Sequence, residues 1–555
     1  MDKFLDELKI KFKGDIETDT EKRELYSHDA SMFEIVPEVV VSPKDDADVE
    51  YLVSTVAKFK KEIPNLSMTA RSAGTDMSGA AINDSVIVDF KKYFTQVELI
   101  DENKKISRLQ PGVMFKDLDE LAKAKGILMP TYPASRDLCT VGGMVNNNAG
   151  GEKSIEYGKA EDFVNELEFV FADGIKRVVK PLKKEQLDKK MSQKDFEGKV
   201  YRDIFELVDK NYDLIKDAKP DVSKDSTGYH LWRVWDREKG IFDLTQLIVG
   251  AQGTLGFTTN IEFRMTHARS DEGLLVIFVK DLNNLGELIK TVVSYKPSRF
   301  EAFDDNTVLL SLRFMPMFLK LLGPKKFIQL IISLIPDAVL LLKGMPRLVL
   351  MASIKGDDQK EIAYKIHKLR LELEKNKKEL GISGFEEAPT ERKGEKFWIM
   401  RRYSFQILRS SVKDKHTAPF IDDFVVRPEH LPEFLPKIRD IIKKYKLFAT
   451  IAGHMGDGNF HIIPLMNIEL ASERDKILPV MKEVNELVLS YGGSLSGEHN
   501  DGLVRGPWLE RMYGTEVLNI FKQAKQIMDP DNIFNPHKKT DATWDYSMSH
   551  LREHF

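Results

Sequence analysis

Three loops of small residues, all in the first half of the chain and each beside a β-rich run, limit the possible folds most strongly. They span residues 71–80, 141–151 and 250–256. Small residues let backbone N–H groups approach a diphosphate closely, and hydroxyl side chains add donors. The sequence contains neither GxGxxG nor GxxxxGK[ST], which argues against a Rossmann domain or a P-loop. The pattern predicts an extended dinucleotide held by several separate loops.

Two segments near the C-terminal end place three histidines and a glutamate among glycines: residues 452–461 (AGHMGDGNFH) and 497–502 (GEHNDG). If Asp457-Gly458 forms a two-residue hairpin turn, His454 and His461 lie directly opposite each other, with β-carbons about 5 Å apart. Glu498 then supplies a third ligand, and the set leaves an open coordination position. The neighbouring His499 is left to act as a base. Structural histidines beside a turn are the alternative, but the clustering favours a reaction centre.

The composition is that of a globular protein with more than one domain. A chain of 555 residues is too long for one ordinary core and predicts roughly two to four domains. With 42% hydrophobic residues, 31% charged residues and a formal net charge of −4, nothing indicates a nucleic-acid partner. The one cysteine, Cys139, excludes disulfides and cysteine-held iron–sulfur clusters within the chain. The first residues lack the apolar core of a signal peptide, so we expect a cytoplasmic protein.

Residues 313–347 depart from this composition. They contain six basic residues and one acid, Asp337, and charged or proline residues interrupt their apolar runs. These runs are shorter than the ~20 residues that a membrane span needs. Basic residues beside short apolar helices favour peripheral contact with an anionic membrane surface, on the inner face of the membrane. A buried helical hairpin or an oligomer contact, including a homo-oligomer, is the alternative.

The order of the predicted elements divides the chain into four parts. Residues 1–35 are predicted to be a helical, polar segment. Over residues 36–267, β-rich runs (EVVVSP, SVIVDF, LEFVFADG and LTQLIVGAQG) alternate with glycine turns and helices, which indicates an α+β fold. Residues 268–525 repeat a strand followed by an amphipathic helix, so we expect an antiparallel sheet covered by helices. Residues 526–555 are predicted to return to the first domain and end in a polar tail.

The sequence resembles the FAD-binding flavoproteins of the vanillyl-alcohol-oxidase (PCMH) superfamily over roughly residues 35–537. It is most similar to the branch of D-lactate dehydrogenase, the glycolate-oxidase flavin subunit and D-2-hydroxyglutarate dehydrogenase. The first-half motifs are RSAGTDMSGA, PTYPASRDLCTVGGMVNNNAGG, YGKAEDFV and LIVGAQGTLGF, and those of the second half are HMGDGNFH, GEHNDGLVR and MDPDNIFNP. The resemblance implies a two-subdomain PCMH-type FAD-binding domain over residues 36–267 and a substrate (cap) domain over residues 268–525.

The resemblance also implies roles for individual residues. Non-covalent FAD is expected because the first loop has no histidine and the lone cysteine lies elsewhere. The expected cofactor-binding residues are Arg71, Ser72, Ala73, Gly74, Thr75, Asp76, Ser78, Gly79, Pro133, Ser135, Thr140, Gly142, Gly143, Asn147, Ala149, Gly253, Gly256, Ile261 and Asn535. A divalent metal, zinc or manganese, is expected on His454, His461 and Glu498, with Asp423 as an acid nearby.

The same resemblance assigns the expected catalytic residues. His499 matches the proposed base. Arg401, with Arg402 as the adjacent alternative, matches the arginine that forms a forked contact with the substrate carboxylate. An ion pair on the helix surface is the alternative for these two arginines.

Some positions depart from the usual residues of the family. They are Ser72, Ala73, Gln252 and Asn500. Asparagine tolerates left-handed backbone conformations, so we expect the turn at Asn500 to survive the loss of the usual glycine. Ile421 and Asp422 stand where the hydroxyglutarate branch has a lysine, which argues against a dicarboxylate substrate.

Together these features predict FAD-dependent, metal-assisted oxidation of a small D-2-hydroxy acid, such as D-lactate, to the 2-oxo acid. The electrons are expected to pass to a quinone or another acceptor, and the basic segment favours a membrane quinone. A D-2-hydroxyglutarate dehydrogenase is an alternative within the branch. The sequence is also compatible with a same-fold transferase resembling alkyl-dihydroxyacetone-phosphate synthase, with a metal-dependent hydrolase and with a catalytically silent oxidase subunit.

Overall fold

The computed structural model describes residues 1–267, 271–313, 344–411 and 415–553, together with a few positions between 319 and 331. The side chains of residues 310–313 and 402–411 lie outside this description. Most of the basic segment 313–347, for which we predicted membrane contact, therefore also lies outside the described residues. Within the described part of the chain, no helix combines the length and apolarity that crossing a bilayer requires.

The first domain contains two main sheets. The four-stranded sheet has the order β1-β2-β4-β3, and the five-stranded sheet has the order β5-β6-β13-β8-β9. Both β2 (VVVS) and β4 (VIVD) consist mostly of valine and isoleucine and are buried along their whole length, as expected for parallel neighbours. The strands are β1 (Asp15–Glu17), β2 (Val39–Ser42), β3 (Met68–Arg71), β4 (Val86–Asp89), β5 (Val97–Asp101), β6 (Ile106–Leu109), β7 (Ile127–Leu128), β8 (Val164–Val170), β9 (Lys176–Val179), β10 (Leu182–Lys183), β11 (Trp235–Asp236), β12 (Ile241–Phe242), β13 (Phe257–Arg264) and β14 (Thr266–His267).

The helices of the first domain differ from the prediction in two places. The N-terminal segment is not wholly helical, because residues 15–17 form β1 and pair with β2. The run LTQLIVGAQG, predicted as a strand, begins with a helical turn because Asp243 accepts hydrogen bonds from the backbone N–H and the hydroxyl of Thr245. The α-helices are Asp2–Leu8, Thr20–Glu24, Asp46–Phe59, Phe115–Lys123, Val141–Asn146, Ser154–Tyr157, Lys184–Met191, Phe196–Lys210, Tyr212–Asp217 and Thr245–Ile248.

The second domain is built on one antiparallel sheet, which confirms the predicted architecture. The strand order is β18-β15-β17-β16-β21-β22-β19, and β20 also pairs with β22. The described pairs of this sheet are all antiparallel. The strands are β15 (Asp271–Val279), β16 (Arg299–Asp304), β17 (Leu348–Gly356), β18 (Ile382–Ala388), β19 (His416–Thr417), β20 (Phe424–Val425), β21 (Phe448–His454) and β22 (Asn459–Met466).

Helices cover both faces of this sheet. One face packs in a large apolar cluster, and the other packs under Phe397 and Trp398 of the helix Glu391–Ser411, here called the cap helix. Since side chains alternate along a strand, Glu301 and Phe303 share the cap-helix face. The described α-helices of residues 271–553 are Leu285–Ser294, Asp305–Arg313, Gln359–Lys375, Glu391–Ser411, Leu431–Lys444, Ala471–Arg474, Ile477–Ser490, Gly502–Arg505, Leu509–Met528 and Trp544–Ser549.

The C-terminal segment packs against the first domain. The Met68 N–H in β3 donates to Ile533 O at 2.8 Å, and the Asn535 N–H donates to Met68 O at 2.8 Å. The Asn535 side chain accepts from the Thr69 hydroxyl and donates to Ala80 O, which fixes the segment beside the first glycine-rich loop.

Candidate metal and flavin site

The hairpin formed by β21 and β22 carries two of the predicted ligands, but its turn is longer than predicted. His454 pairs with Asn459 and Ala452 pairs with His461, so residues 455–458 form the turn. The prediction that the two histidines lie directly opposite each other is therefore wrong. The last turn residue has a left-handed backbone, with φ of 66°, which closes the four-residue turn. Because residues 452 and 454 share a face, both imidazoles still project to one side, with ring centroids 5.4 Å apart.

The two imidazoles converge on Glu498. Glu498 Oε1 lies 3.1 Å from His454 Nε2 and 3.3 Å from His461 Nε2. The opposite nitrogens contact carboxylates, with His454 Nδ1 2.5 Å from Glu301 Oε1 and His461 Nδ1 2.9 Å from Asp422 Oδ1. A carboxylate that holds Nδ1–H leaves Nε2 as the metal-binding nitrogen, which is the usual support of a histidine ligand.

This donor set fits a divalent cation. If each Nδ1 carries the proton, two Nε2 lone pairs and one carboxylate oxygen face each other, and a cation between them removes the repulsion. Asp423, His461, Glu498 and His499 also offer ligand atoms within 4.8 Å of one another. Asp423, however, accepts the backbone N–H groups of Glu498 and His499, so it shapes the loop that carries them. We therefore retain His454, His461 and Glu498 as the ligand set.

A buried lysine from the first domain holds the other oxygen of Glu498. Lys224 is 2% exposed, and its Nζ lies 2.5 Å from Glu498 Oε2 and 3.0 Å from Asn459 Oδ1. Burial raises the pKa of Glu498, but Lys224 and His454 outweigh burial and bring it well below its ordinary value. Glu498 is thus ionised and presents Oε1 to the histidines. Sequence reasoning missed Lys224 and Glu301, because nothing local connects either residue to the hairpin.

His499 is held from both its backbone and its ring. Its N–H donates to Asp423 Oδ2 at 2.6 Å, and its ring stacks on His461 with centroids 5.0 Å apart. His499 Nδ1 lies 2.8 Å from Asp422 Oδ2, although the two atoms are not aligned as a hydrogen bond. Burial lowers the pKa of His499, but Asp423 and Asp422 outweigh burial and raise it. We predicted a neutral ring near pH 7, whereas these carboxylates favour the protonated ring, and a nearby metal cation opposes them.

The predicted substrate arginine lies next to the partner of His454. Arg401 belongs to the cap helix, its side chain is 17% exposed, and its Nη2 lies 3.3 Å from Glu301 Oε2. The side chain of Arg402 lies outside the described residues. Contact with the candidate site can therefore be described for Arg401 and not for Arg402.

The first glycine-rich loop fits a diphosphate. Within the described structure, the backbone N–H groups of residues 72–75 have no acceptor. The Asp76 carboxylate accepts from Ser78 N and Ala80 N and so curves the loop. Arg71 donates to two backbone carbonyls and lies over the Tyr26 ring, and these contacts stabilise the loop. Unpaired N–H groups in a curved loop can bind an anion.

The second set of predicted cofactor residues lies along residues 133–149. Thr140 caps the helix Val141–Asn146 by accepting from Gly143 N. The Gly142 N–H donates to Pro111 O and is not free for a phosphate, and a β-carbon on Gly142 would lie 2.3 Å from Pro111 Cβ. A β-carbon added to Gly143 would lie 3.9 Å from Ser72 Cβ, so the space on the Ser72 side of Gly143 is open. Pro133, Ser135 and Ala149 lie in the surrounding loops.

In the third glycine-rich loop, residues 250–256, one part faces β3 and the other packs into the core of the first domain. Gly253 has φ of 68° and faces Ala70 of β3, where an added β-carbon would lie 3.5 Å from Ala70 Cβ. Gly256 packs directly against Phe169, and Ile261 is fully buried in the core of the five-stranded sheet.

Two amide side chains join the candidate flavin cleft to the candidate metal site. Asn147 Nδ2 donates to Glu498 O at 3.1 Å, and its Oδ1 accepts from Gln252 Nε2 at 3.0 Å. Gln252 Nε2 also donates to Ser78 Oγ at 3.1 Å, and Asn535 donates to Gln252 O at 2.8 Å. The three glycine-rich loops and the loop that carries Glu498 therefore meet at one place.

Comparisons with known proteins identify two matching families. The family described as "FAD binding domain" matches residues 37–179, and "FAD linked oxidases, C-terminal domain" matches residues 269–539. A D-2-hydroxyglutarate dehydrogenase of Escherichia coli (strain K12) is 25% identical over 96% of this chain and 51% of its own length. The chain thus spans about half the length of the curated relatives that it matches first.

Two further similarities cover nearly whole chains. A D-lactate dehydrogenase of Archaeoglobus fulgidus (strain ATCC 49558 / DSM 4304 / JCM 9628 / NBRC 100126 / VC-16) is 24% identical over 90% of each chain. The solved structure of 4-ethylphenol oxidase from Gulosibacter chungangensis superposes with a TM-score of 0.68 over 98% of each chain, at 14% identity. This structural similarity and the two family matches together show a PCMH-type fold.

Proposed function

Because the chain belongs to the FAD-linked oxidases, we propose that it oxidises a small D-2-hydroxy acid resembling D-lactate to the 2-oxo acid. Two observations carry the proposal. His454 and His461 both contact Glu498, and the backbone carbonyl of Glu498 accepts a hydrogen bond from Asn147 of the candidate flavin cleft. Relatives named for oxidation of D-2-hydroxyglutarate and D-lactate support this class of substrate.

The ligand residues and Arg401 bind and orient the substrate. A divalent ion, zinc or manganese, held by His454, His461 and Glu498 supplies a Lewis acid that lowers the pKa of the substrate hydroxyl. Lys224 keeps Glu498 ionised and directs Oε1 toward the histidines. Arg401, at the edge of this cluster, pairs with the substrate carboxylate.

His499 accepts the hydroxyl proton. The contact of its backbone N–H with Asp423 and of its ring with Asp422 holds His499 beside the ligands. These carboxylates raise its pKa and the bound cation opposes them, so the neutral ring is the form that acts as the base. Bound FAD supplies the hydride acceptor, and the protein sets its position. Replacement of His499 by alanine is expected to slow turnover by ~10²–10⁴ while flavin stays bound.

Anaerobic flavin bleaching tests the proposed function. The purified protein should be yellow, and D-lactate should bleach it while L-lactate leaves the absorbance unchanged. A chelator should abolish bleaching, and added zinc or manganese should restore it. A colourless protein that binds no FAD would instead favour a metal-dependent hydrolase. Flavin that no D-2-hydroxy acid reduces would favour the same-fold transferase or a catalytically silent subunit.

A monocarboxylate is the preferred substrate in this proposal. Asp422, which with Ile421 stands where the resemblance to the hydroxyglutarate branch would place a lysine, is buried and contacts His461 and His499, so it adds negative charge beside the substrate. This charge disfavours a second substrate carboxylate nearby. D-lactate should therefore have a higher kcat/KM than D-2-hydroxyglutarate, and the reverse order would reject the assignment.

The electron acceptor belongs to the same proposal. A quinone or an acceptor protein takes the electrons from the reduced flavin. The protein itself is cytoplasmic in this proposal, and residues 313–347 attach it to the inner face of a membrane. Flotation with anionic liposomes tests this, with a variant lacking residues 314–345 as the matched comparison. Equal flotation of both proteins would reject the assigned role of this segment. Light scattering during size-exclusion chromatography decides between a monomer and a homo-oligomer.

A further inference from the structure

The residues that follow His499 make a buried contact that the mechanism above does not use. Lys539, in the C-terminal segment, and Asp501 are both 0% exposed. Lys539 Nζ lies 2.7 Å from Asp501 Oδ2 and 2.7 Å from Asn500 Oδ1. Asp501 Oδ2 also accepts the Gly228 N–H at 2.8 Å. One ammonium group thus joins the C-terminal segment to two consecutive residues of the loop that carries His499.

The lysine orients the side chain of Asn500. Because Asn500 Oδ1 accepts from Lys539, its Nδ2 faces Asn147 O at 3.2 Å and Gly250 O at 2.8 Å. Both carbonyls belong to first-domain loops of the candidate flavin cleft. Asn500 also has a left-handed backbone, with φ of 67°, a conformation that persists where the surroundings impose it. The Asp501 N–H also donates to Asn500 Oδ1, at 2.8 Å, so Lys539 and this N–H together fix which way the amide points.

The buried Lys539–Asp501 pair is better explained by the loop geometry that it imposes than by a contribution to the stability of the fold. Replacing a buried ion pair by apolar residues of similar volume is often neutral or stabilising. Here the compensation is also incomplete, since Asp501 Oδ1 has no hydrogen-bond partner within the described structure. What the pair imposes is a single arrangement of residues 500 and 501.

We propose that Lys539 is a positioning residue for His499. Through Asn500 and Asp501 it fixes the backbone on the C-terminal side of His499, while Asp423 fixes the N-terminal side by accepting the His499 N–H at 2.6 Å. The catalytic consequence rests on the proposed function, whereas the loop geometry does not. Displacing a catalytic group by about 1 Å can cost 10²-fold in rate.

Two variants and one matched control test this role. Lys539→Met leaves Asp501 unpaired, whereas the double variant Asp501→Asn/Lys539→Met removes both charges and keeps an acceptor for the Gly228 N–H. Lys525→Met is the control, because Lys525 is also buried and bonds Asp529 in the same part of the chain. The described contacts of Lys525 include none with residues 497–502.

Hydrogen exchange of a peptide covering residues 497–503 reports the loop directly. Exchange should become about tenfold faster in both Lys539 variants and stay unchanged in the Lys525 control. In anaerobic stopped-flow, the rate of flavin reduction per bound flavin should fall by about 10–100-fold in the double variant. The dissociation constants for D-lactate and for zinc should stay within about twofold, which a general loss of structure would not produce.

The possible results separate this inference from the proposed function. If no D-2-hydroxy acid reduces the wild-type flavin, the proposed function fails, and the exchange comparison still decides the positioning role. Unchanged exchange in the double variant, or equal acceleration in the Lys525 control, overturns the positioning role. Faster loop exchange with an unchanged flavin-reduction rate overturns its catalytic consequence.

Discussion

Replacing Glu301 by glutamine is a sharp test of the candidate metal site, because Glu301 touches a ligand without being one. Its Oε1 lies 2.5 Å from His454 Nδ1, and the residue is 2% exposed. Glutamine keeps an acceptor at this place but removes the charge. A bond to a charged group contributes about 1.5–3 kcal/mol and a neutral bond about 1 kcal/mol, so the change should cost ~0.5–2 kcal/mol. This corresponds to metal binding weakened by about 2–30-fold.

Competition with a chromogenic chelator measures this change on the flavin-loaded protein. Glu272→Gln is the matched control, since Glu272 is a half-buried glutamate of the same sheet, on strand β15, which β17 separates from β16, and it pairs with Arg299 and Lys355. It should leave the zinc dissociation constant within about twofold of the wild type. An unchanged constant in Glu301→Gln, or an equal loss in Glu272→Gln, would refute the proposed support of His454.

Two further predictions concern the flavin loop and a buried ion pair. Gly74→Ala and Gly126→Ala both strain a left-handed residue, with φ of 65° and 72°, and should each lower the free energy of unfolding by about 1–2 kcal/mol. Only Gly74→Ala places a β-carbon 2.5 Å from Arg71 Nη2, so it alone should weaken FAD binding by about tenfold in a fluorescence titration; equal weakening in both would contradict the loop assignment. Burial lowers the pKa of His230, but Glu161 outweighs burial and raises it above the unfolded value. The stabilisation is therefore complete below about pH 6.5 and is lost as pH rises through the folded-state pKa, so the excess unfolding free energy of wild type over His230→Gln should shrink as pH rises above about 6.5 in urea titrations. A constant difference would exclude a charged His230.

Local features of the site were predictable because they depend on neighbouring residues. The left-handed conformation of Asn500 was expected from its residue type, and its φ is 67°. The strand-and-helix order of the second domain also follows from local periodicity. The turn at residues 455–458 was not predicted, because Asp-Gly occurs in two-residue turns and also as the end of longer ones.

The residues that complete the site were not predictable, because they come from distant strands and loops. Glu301 lies 153 residues before His454, and Lys224 lies 274 residues before Glu498. No local pattern marks either as a partner of the hairpin, and only the sheet register and the packing of the two domains bring them there. The raised pKa of His499 has the same origin, since the carboxylates that cause it belong to residues 422 and 423.

Anomalous X-ray diffraction from a crystal of the flavin-loaded protein grown with zinc tests the central claim most directly. A peak at the zinc edge is expected within about 2.3 Å of His454 Nε2, His461 Nε2 and Glu498 Oε1. Density for FAD should lie beside Asn147. A crystal with full FAD density and no anomalous peak at these three atoms, or with a peak elsewhere, would contradict it.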